Sequence, residues 1–243
     1  MTDTVNILCA GAVQGLVKAL HARFERETGA TLQVRFGAVG AMKEALLAGE
    51  PCDAMIVTDA MVVALQASGE LGPRPRAPLG RVRTGVAVRS GEPLPMIATP
   101  DELKATLLAA SAIYFPDPLR ATAGIHFAAV LAGLGVKDDV AARLRTFPNG
   151  ATSMRELAAS GPGAIGCTQI TEILYTPGIA LVGPLPDAFE LATVYTAAVA
   201  TRAEQPVLAQ RFIDLLAGPA TRQMRAEGGF EFDDPIHDPQ ETR

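Results

Sequence analysis

Glu172 is the first of four side chains in this sequence that could move a proton. It follows by about one helical turn a glycine-flanked strand predicted at 163–167. A carboxylate held there could remove a proton from a carbon atom next to a carboxylate group. The helix dipole also favours an acidic residue in the first turn of a helix, so a structural role for Glu172 stays open.

His126, Asp117 and Cys9 are the other three candidates for acid–base chemistry. His126 lies in the first turn of a predicted helix and could carry a proton, or simply face a neighbouring element. Asp117 begins an Asp-Pro turn, where its carboxylate could act as a base or bond to the turn's own backbone. Cys9 ends the first predicted strand and could be an acid, a nucleophile or a small buried apolar residue.

Loops of small residues could bind an anion through their backbone. The apolar strand at 112–115 leads through an Asp-Pro turn into a loop that opens a helix near residue 122. Backbone N–H groups at a helix start point toward a bound anion, and small side chains let that anion approach closely. The predicted ligand-binding residues in this and similar loops are Gly11, Ala12, Ala38, Val39, Arg120, Ala121, Thr122, Ala123, Gly124, Asn149, Gly150, Ala151, Thr168 and Gln169.

The composition narrows the possible partners. The chain has 243 residues and a net charge of −5, which argues against nucleic acid as the partner. Its three cysteines show no CxxC spacing, and no metal or cofactor motif is present, so we expect neither metal nor cofactor. No apolar run is long enough for a membrane span. The start of the sequence lacks a signal-peptide pattern, so we expect a cytoplasmic protein, or a periplasmic one if a signal peptide has been removed.

The order of predicted elements indicates two α/β lobes with a ligand cleft between them. Three strands alternate with helices up to about residue 69, which implies a parallel sheet covered by helices. Two strands, at 82–88 and 193–200, are expected to connect the lobes, and Tyr195 in the second could contact a ligand or pack in the hinge. The predicted lobes are 1–81 plus 195–243 and 82–194, with a flexible tail at 232–243.

Several segments resemble those of one family in the same order along the chain. They are Val5–Gly11, Phe36–Ala41, Gly49–Ala54, Leu79–Val88, Asp117–Gly124 and Leu181–Pro186. With them the chain resembles the type II periplasmic-binding-protein fold and its molybdate-binding-protein-like branch of solute-binding proteins. The resemblance implies a two-lobed α/β fold that closes on a small anion, with an ABC permease as partner of an exported form.

The same resemblance bears on the choice of ligand. In molybdate binders of this family, the loops after the first and second strands each supply a serine-type hydroxyl. The matching positions here are Ala12 and Val39, which have no side-chain donor. We therefore expect a carboxylate rather than molybdate. The branch is also similar to aconitate isomerase, which implies the alternative of a cytoplasmic isomerase that shifts a double bond in an unsaturated di- or tricarboxylate.

Overall fold

The structure, a computed structural model, describes residues 2–232 as alternating strands and helices. Of the predicted tail at 232–243, all but Phe232 lies outside the described residues. The strands are β1 (Thr4–Ala10), β2 (Thr31–Gly37), β3 (Ala54–Thr58), β4 (Ala77–Arg89), β5 (Ile113–Pro116), β6 (Leu144–Phe147), β7 (Ile165–Gln169), β8 (Ile179–Pro184) and β9 (Ala192–Val199). The helices are α1 (Gln14–Thr28), α2 (Val39–Leu47), α3 (Asp59–Ala67), α4 (Pro100–Ala109), α5 (Thr122–Gly133), α6 (Lys137–Val140), α7 (Gly150–Ala158), α8 (Ile170–Leu174), α9 (Pro206–Ala217) and α10 (Arg222–Glu227).

The strands form two connected groups. In the first group the order is β2-β1-β3-β9, with β1 parallel to β2 and β3, and β9 antiparallel to β3. In the second group β7 lies parallel to β5, which lies parallel to β6, while β8 pairs with β4. Parallel strands joined through helices place their carboxyl ends at a common edge, where the helices that follow them begin.

Strand β4 belongs to both groups. Its first half, Ala77–Arg83, pairs with β9, and its second half, Thr84–Val88, pairs with β7, both antiparallel. The sequence predicted a strand only at 82–88, because the prolines at 73, 75 and 78 indicated a stiff connection before it. The pairing of β4 with β9 accommodates Pro78 through a register shift between Pro78 and Gly80. Gly80 has a φ of 132°, a backbone conformation that glycine adopts readily.

Each lobe of this α/β fold has its own hydrophobic core. One core is built from residues within 5–82 and 195–230, and includes the edge-to-face pair Phe24 and Phe212, with ring centroids 5.0 Å apart. A second lies within 86–189, around Phe115 and Phe127 at 5.3 Å. The lobe boundaries at 81/82 and 194/195 stay a prediction, since β4 and β9 run through them without a break.

The start of α5 packs tightly on the turn that precedes it. A methyl group on Gly124 would overlap the backbone carbonyl oxygens of Pro116 and Asp117. Because backbone atoms cannot move aside as a side chain can, this approach requires glycine.

We therefore predict that Gly124→Ala destabilises the protein by about 1–3 kcal/mol, the usual cost of overpacking, and lowers the melting temperature by about 3–10 °C. Differential scanning calorimetry would measure this. The matched control is Gly161→Ala, because a methyl group there meets open space, and its melting temperature should stay within about 2 °C of wild type. Equal melting temperatures for the two variants would contradict the predicted close packing.

Candidate functional site

A narrow cavity lies at the carboxyl ends of β1, β2, β5 and β7, between the two lobes. It is the place that the sequence indicated, and most of the predicted ligand-binding residues reach it. The predicted residues that line it are Gly11, Ala12, Ala38, Val39, Ala121, Thr122, Ala123, Asn149, Gly150, Gln169 and Glu172, and they are joined by Ala10, Gly37, Pro116 and Tyr195.

Three of the helical segments that begin at this cavity do so without a side-chain cap. The N-cap residues are Ala10 before the 3-10 turn that leads into α1, Ala38 before α2 and Ala121 before α5, and none makes a cap hydrogen bond. In contrast, Thr58 and Thr99 cap α3 and α4 with their hydroxyls. Alanine leaves the first N–H groups of a helix to another acceptor, and the helix dipole makes an anion the favoured one.

The carboxyl group of Glu172 is held between the two lobes. The residue is 7% exposed, its Oε2 accepts a hydrogen bond from the Thr168 hydroxyl, and the backbone N–H groups of Gly150, Ala151 and Gln169 also donate to the carboxyl. A methyl group on Gly11 or on Gly150 would overlap its oxygens. Glycine at both positions therefore makes the space that this carboxyl occupies.

Burial sets the protonation of Glu172. It raises the pKa of this carboxyl from 4.5 to about 7, although the hydrogen bonds from Thr168 and the backbone act in the opposite direction. A carboxyl group with a pKa near neutrality can both accept and return a proton. Of the four predicted acid–base residues, Glu172 is the one that lines the cavity.

Tyr195 on β9 is a further polar group of the cavity. Its side chain is buried, and its hydroxyl is hydrogen-bonded to the hydroxyl of Thr122. Burial, together with the neighbouring carboxyl of Glu172, raises the pKa of Tyr195 well above its usual range, so the phenol stays protonated and can donate a hydrogen bond. The sequence left open whether Tyr195 contacts the ligand or packs in the hinge, and the structure places it in the cavity wall.

The amide of Gln169 is buried without a partner. Gln169 is 2% exposed, and within residues 2–232 neither its Oε1 nor its Nε2 makes a hydrogen bond. A buried amide with no partner costs stability, and such groups in folded proteins call for an explanation. Because Gln169 lines the cavity, a bound ligand would supply the missing partners.

The other predicted acid–base residues do not line the cavity and have hydrogen-bond partners of their own. The Asp117 carboxylate accepts the backbone N–H groups of Leu119 at 2.7 Å and Arg120 at 3.2 Å, the turn-forming role that the sequence had left open. His126 Nε2 lies 2.8 Å from the carbonyl oxygen of Phe189. Cys9 is buried, its thiol donates to the carbonyl oxygen of Ala10, and burial raises the pKa of that thiol.

Four of the predicted ligand-binding residues also lie elsewhere. Arg120 is exposed and forms an ion pair with Glu44 at 3.4 Å. Gly124 packs under the start of α5, and the Thr168 hydroxyl is engaged by Glu172. Ala151 faces a neighbouring cavity.

Two further observations concern metal ions and membranes. Between residues 2 and 232 no group of three or more His, Cys, Asp or Glu side chains is arranged to hold a metal ion. None of the helices in that part of the chain has the length and apolar character needed to cross a membrane.

Solved structures share this fold. The Azotobacter vinelandii periplasmic molybdate-binding protein superposes with a TM-score of 0.78 at 18% identity, over 95% of this chain and all of that one. The sulfate-binding protein SubI from Mycobacterium tuberculosis gives 0.74 at 17% identity, over 96% of this chain and 88% of that one. PEB3 bound to L-phospholactate gives 0.67 at 17% identity, over 94% and 99%. At these identities the likeness shows the fold, which is the two-lobed type II periplasmic-binding-protein fold predicted from the sequence.

Two sequence comparisons describe the chain more specifically than the shared fold does: one finds a relative with a known activity, and the other finds a family pattern. This chain is 26% identical over 234 residues to an aconitate isomerase from a Pseudomonas species, which covers 94% of this chain and 87% of the relative. The pattern described as bacterial extracellular solute-binding protein matches residues 5–231. The chain therefore belongs to the bacterial extracellular solute-binding protein family.

Proposed function

We propose that this protein binds a small organic carboxylate in the cavity between its lobes. The observation that carries the proposal is the buried amide of Gln169, which lines a cavity bordered by three uncapped helix starts and has no partner within residues 2–232. An amide N–H donates to a carboxylate oxygen, and helix starts favour negative charge. The relatives support an anion, because the names of the structural neighbours mention molybdate, sulfate and phospholactate.

A carboxylate suits this lining better than a tetrahedral oxyanion does. Ala12 and Val39 line the cavity and offer no hydroxyl, so molybdate would lose two donors at about 1–3 kcal/mol each. The polar side chains that line the cavity are those of Thr122, Asn149, Gln169, Glu172 and Tyr195. The Thr122 and Tyr195 hydroxyls form one hydrogen-bonded pair, and the Gln169 amide is a further donor that a carboxylate would engage.

A second candidate function is isomerisation of the bound carboxylate, and Glu172 favours it. The ionised carboxyl would take a proton from a carbon next to a carboxylate, and the electron pair of that C–H bond would form the new double bond. The old double bond would shift its electrons to its far carbon, and the proton on Glu172 would return there. The balance needs no oxidant or cofactor, and the aconitate isomerase relative is consistent with it.

The location and transport partner are a separate part of the proposal. The cytoplasmic location stays a prediction, and the family description as extracellular favours the periplasmic alternative. In the periplasmic case an ABC permease is the partner we propose. Nucleic acid is not among the proposed partners, given the net charge of −5.

Thermal shift with a panel of anions tests the binding proposal. We expect trans-aconitate, citrate or fumarate to raise the melting temperature by about 5–10 °C at 100 times the dissociation constant, since such a ligand adds about 2.7 kcal/mol. Molybdate, tungstate and sulfate should give smaller shifts. Stabilisation by molybdate or tungstate alone would overturn the carboxylate assignment and would indicate that the protein binds an inorganic oxyanion instead.

Gln169→Leu separates ligand binding from folding. The change removes a buried amide that has no partner, so the melting temperature should stay the same or rise, whereas the dissociation constant for a carboxylate should increase by about 10-fold. Isothermal titration calorimetry and thermal unfolding measure the two effects.

The matched control is Gln66→Leu. The Gln66 amide donates to the carbonyl oxygens of Gly72 at 2.9 Å and Arg74 at 3.2 Å, so this change should lower the melting temperature and leave affinity unchanged. If Gln169→Leu instead lowers stability and leaves affinity intact, its amide has no ligand role.

Glu172→Gln tests the proton acceptor. NMR of cis- or trans-aconitate should show double-bond migration with the wild type, and a loss of about 10²–10⁴-fold in its rate with the variant, while binding persists. The base must be ionised, so the wild-type kcat/KM should rise with pH through about 7. If the wild type binds aconitate and the double bond does not migrate, the protein is a binder and the isomerase function is excluded.

The same variant reports the pKa of Glu172 through stability. Because the folded pKa lies above the unfolded value of 4.5, the protonated carboxyl favours the folded state below pH 4.5, and this contribution is lost as pH rises through about 7. Between pH 5 and pH 8 the wild type should lose roughly 2 kcal/mol relative to Glu172→Gln. Urea unfolding at both pH values measures it, and parallel pH profiles would contradict the raised pKa.

A further inference from the structure

A second cavity adjoins the first on the other side of the Glu172 carboxyl. Its volume is about 660 Å³, and Gly11, Asn149 and Glu172 line both cavities. These three residues are the partition between the two spaces. The Glu172 carboxyl therefore borders both spaces.

Two cations from opposite lobes line this second cavity. Lys18 lies on α1, with its Nζ 5.9 Å from the ring centroid of Phe36, and Arg155 lies on α7 and donates to the Thr152 hydroxyl at 3.1 Å. Neither is ion-paired with a carboxylate in the part of the chain that the structure describes. Among the described residues that line this cavity, Glu172 is the only acidic one, although the chain as a whole has a net charge of −5.

Thr171 gives an independent indication of a ligand. It lies on α8 in the lining of the second cavity, is 0% exposed, and its hydroxyl has no hydrogen-bond partner within residues 2–232. A buried hydroxyl without a partner costs free energy, which a bound acceptor would recover. Two cations and a donor with no partner match the oxygens of a carboxylate.

We propose that the second cavity binds a further carboxylate group of the ligand, with Lys18 and Arg155 as counter-charges and the Thr171 hydroxyl as a hydrogen-bond donor. The inference rests on the proposed function, in which the first cavity holds the first carboxylate. It narrows the ligand class to di- and tricarboxylates, whose acidic groups lie on both sides of Glu172. Monocarboxylates and inorganic oxyanions would fill the first cavity only.

A matched ligand series tests this assignment by calorimetry on the full chain. Crotonate, fumarate and trans-aconitate carry one, two and three carboxylates beside a similar double bond. Lys18→Met and Arg155→Met should each raise the dissociation constant of trans-aconitate by about 10-fold, because each removes one charge-assisted contact. For crotonate the same variants should change it by less than about 2-fold.

The control variant is Lys104→Met, which removes an exposed cation on α4 that lines neither cavity. Its affinities should equal those of the wild type for all three ligands. Equal losses for crotonate and trans-aconitate in the Lys18 and Arg155 variants would show general electrostatic attraction and overturn the second-cavity assignment. So would unchanged affinities in those variants. If none of the three ligands binds the wild type, the proposed function fails, and the inference that depends on it fails too.

Discussion

The burial of one carboxyl group between two lobes is the constraint on which the rest of the site depends. Removing a carboxylate from water costs several kcal/mol unless hydrogen bonds replace the lost solvation. Here a hydroxyl and three backbone N–H groups from the starts of α7 and α8 supply them for Glu172. The starts of α7 and α8 must therefore both lie within hydrogen-bonding distance of this carboxyl, which constrains where α7 packs against β7.

The small residues of the loops follow from the same constraint. Gly11 and Gly150 lie so close to the carboxyl that any side chain would displace it, and alanines precede three of the helical segments at the cavity. A cap from serine or asparagine would stabilise each helix by roughly 1 kcal/mol, so these positions give up local stability. Their backbone donors remain directed toward whatever anion the cavity receives.

The sequence predicted more of the fold than of the candidate site. The alternation of strands and helices, and the capped start of α4 at Thr99, were evident because hydrophobic period and cap residues are local signals. The first half of β4 was missed because Pro78 ordinarily excludes a strand, and only the neighbouring strand reveals the bulge.

Among the predicted site residues, most of those in the loops line the cavity because the ends of parallel strands converge by topology. His126 did not, because its direction depends on the rotation of α5 about its axis, which the sequence leaves undetermined. The sequence likewise cannot show that the Gln169 amide has no hydrogen-bond partner among the described residues, because this depends on the positions of all its neighbours.

One backbone contact joins the two lobes at residues that do not line the cavity. The backbone N–H of Gly40 donates to the carbonyl oxygen of Arg120 at 3.0 Å, beside the ion pair of Arg120 with Glu44, and so joins α2 to the turn before α5. A hydrogen bond of this kind contributes about 0.5–1.5 kcal/mol, and an exposed ion pair contributes less. Together these two contacts would oppose a separation of α2 from the turn before α5 by only about 10-fold. A ligand bound as we propose would therefore owe its residence time to its own contacts with both lobes, and a molecule that touches only one lobe would be released quickly.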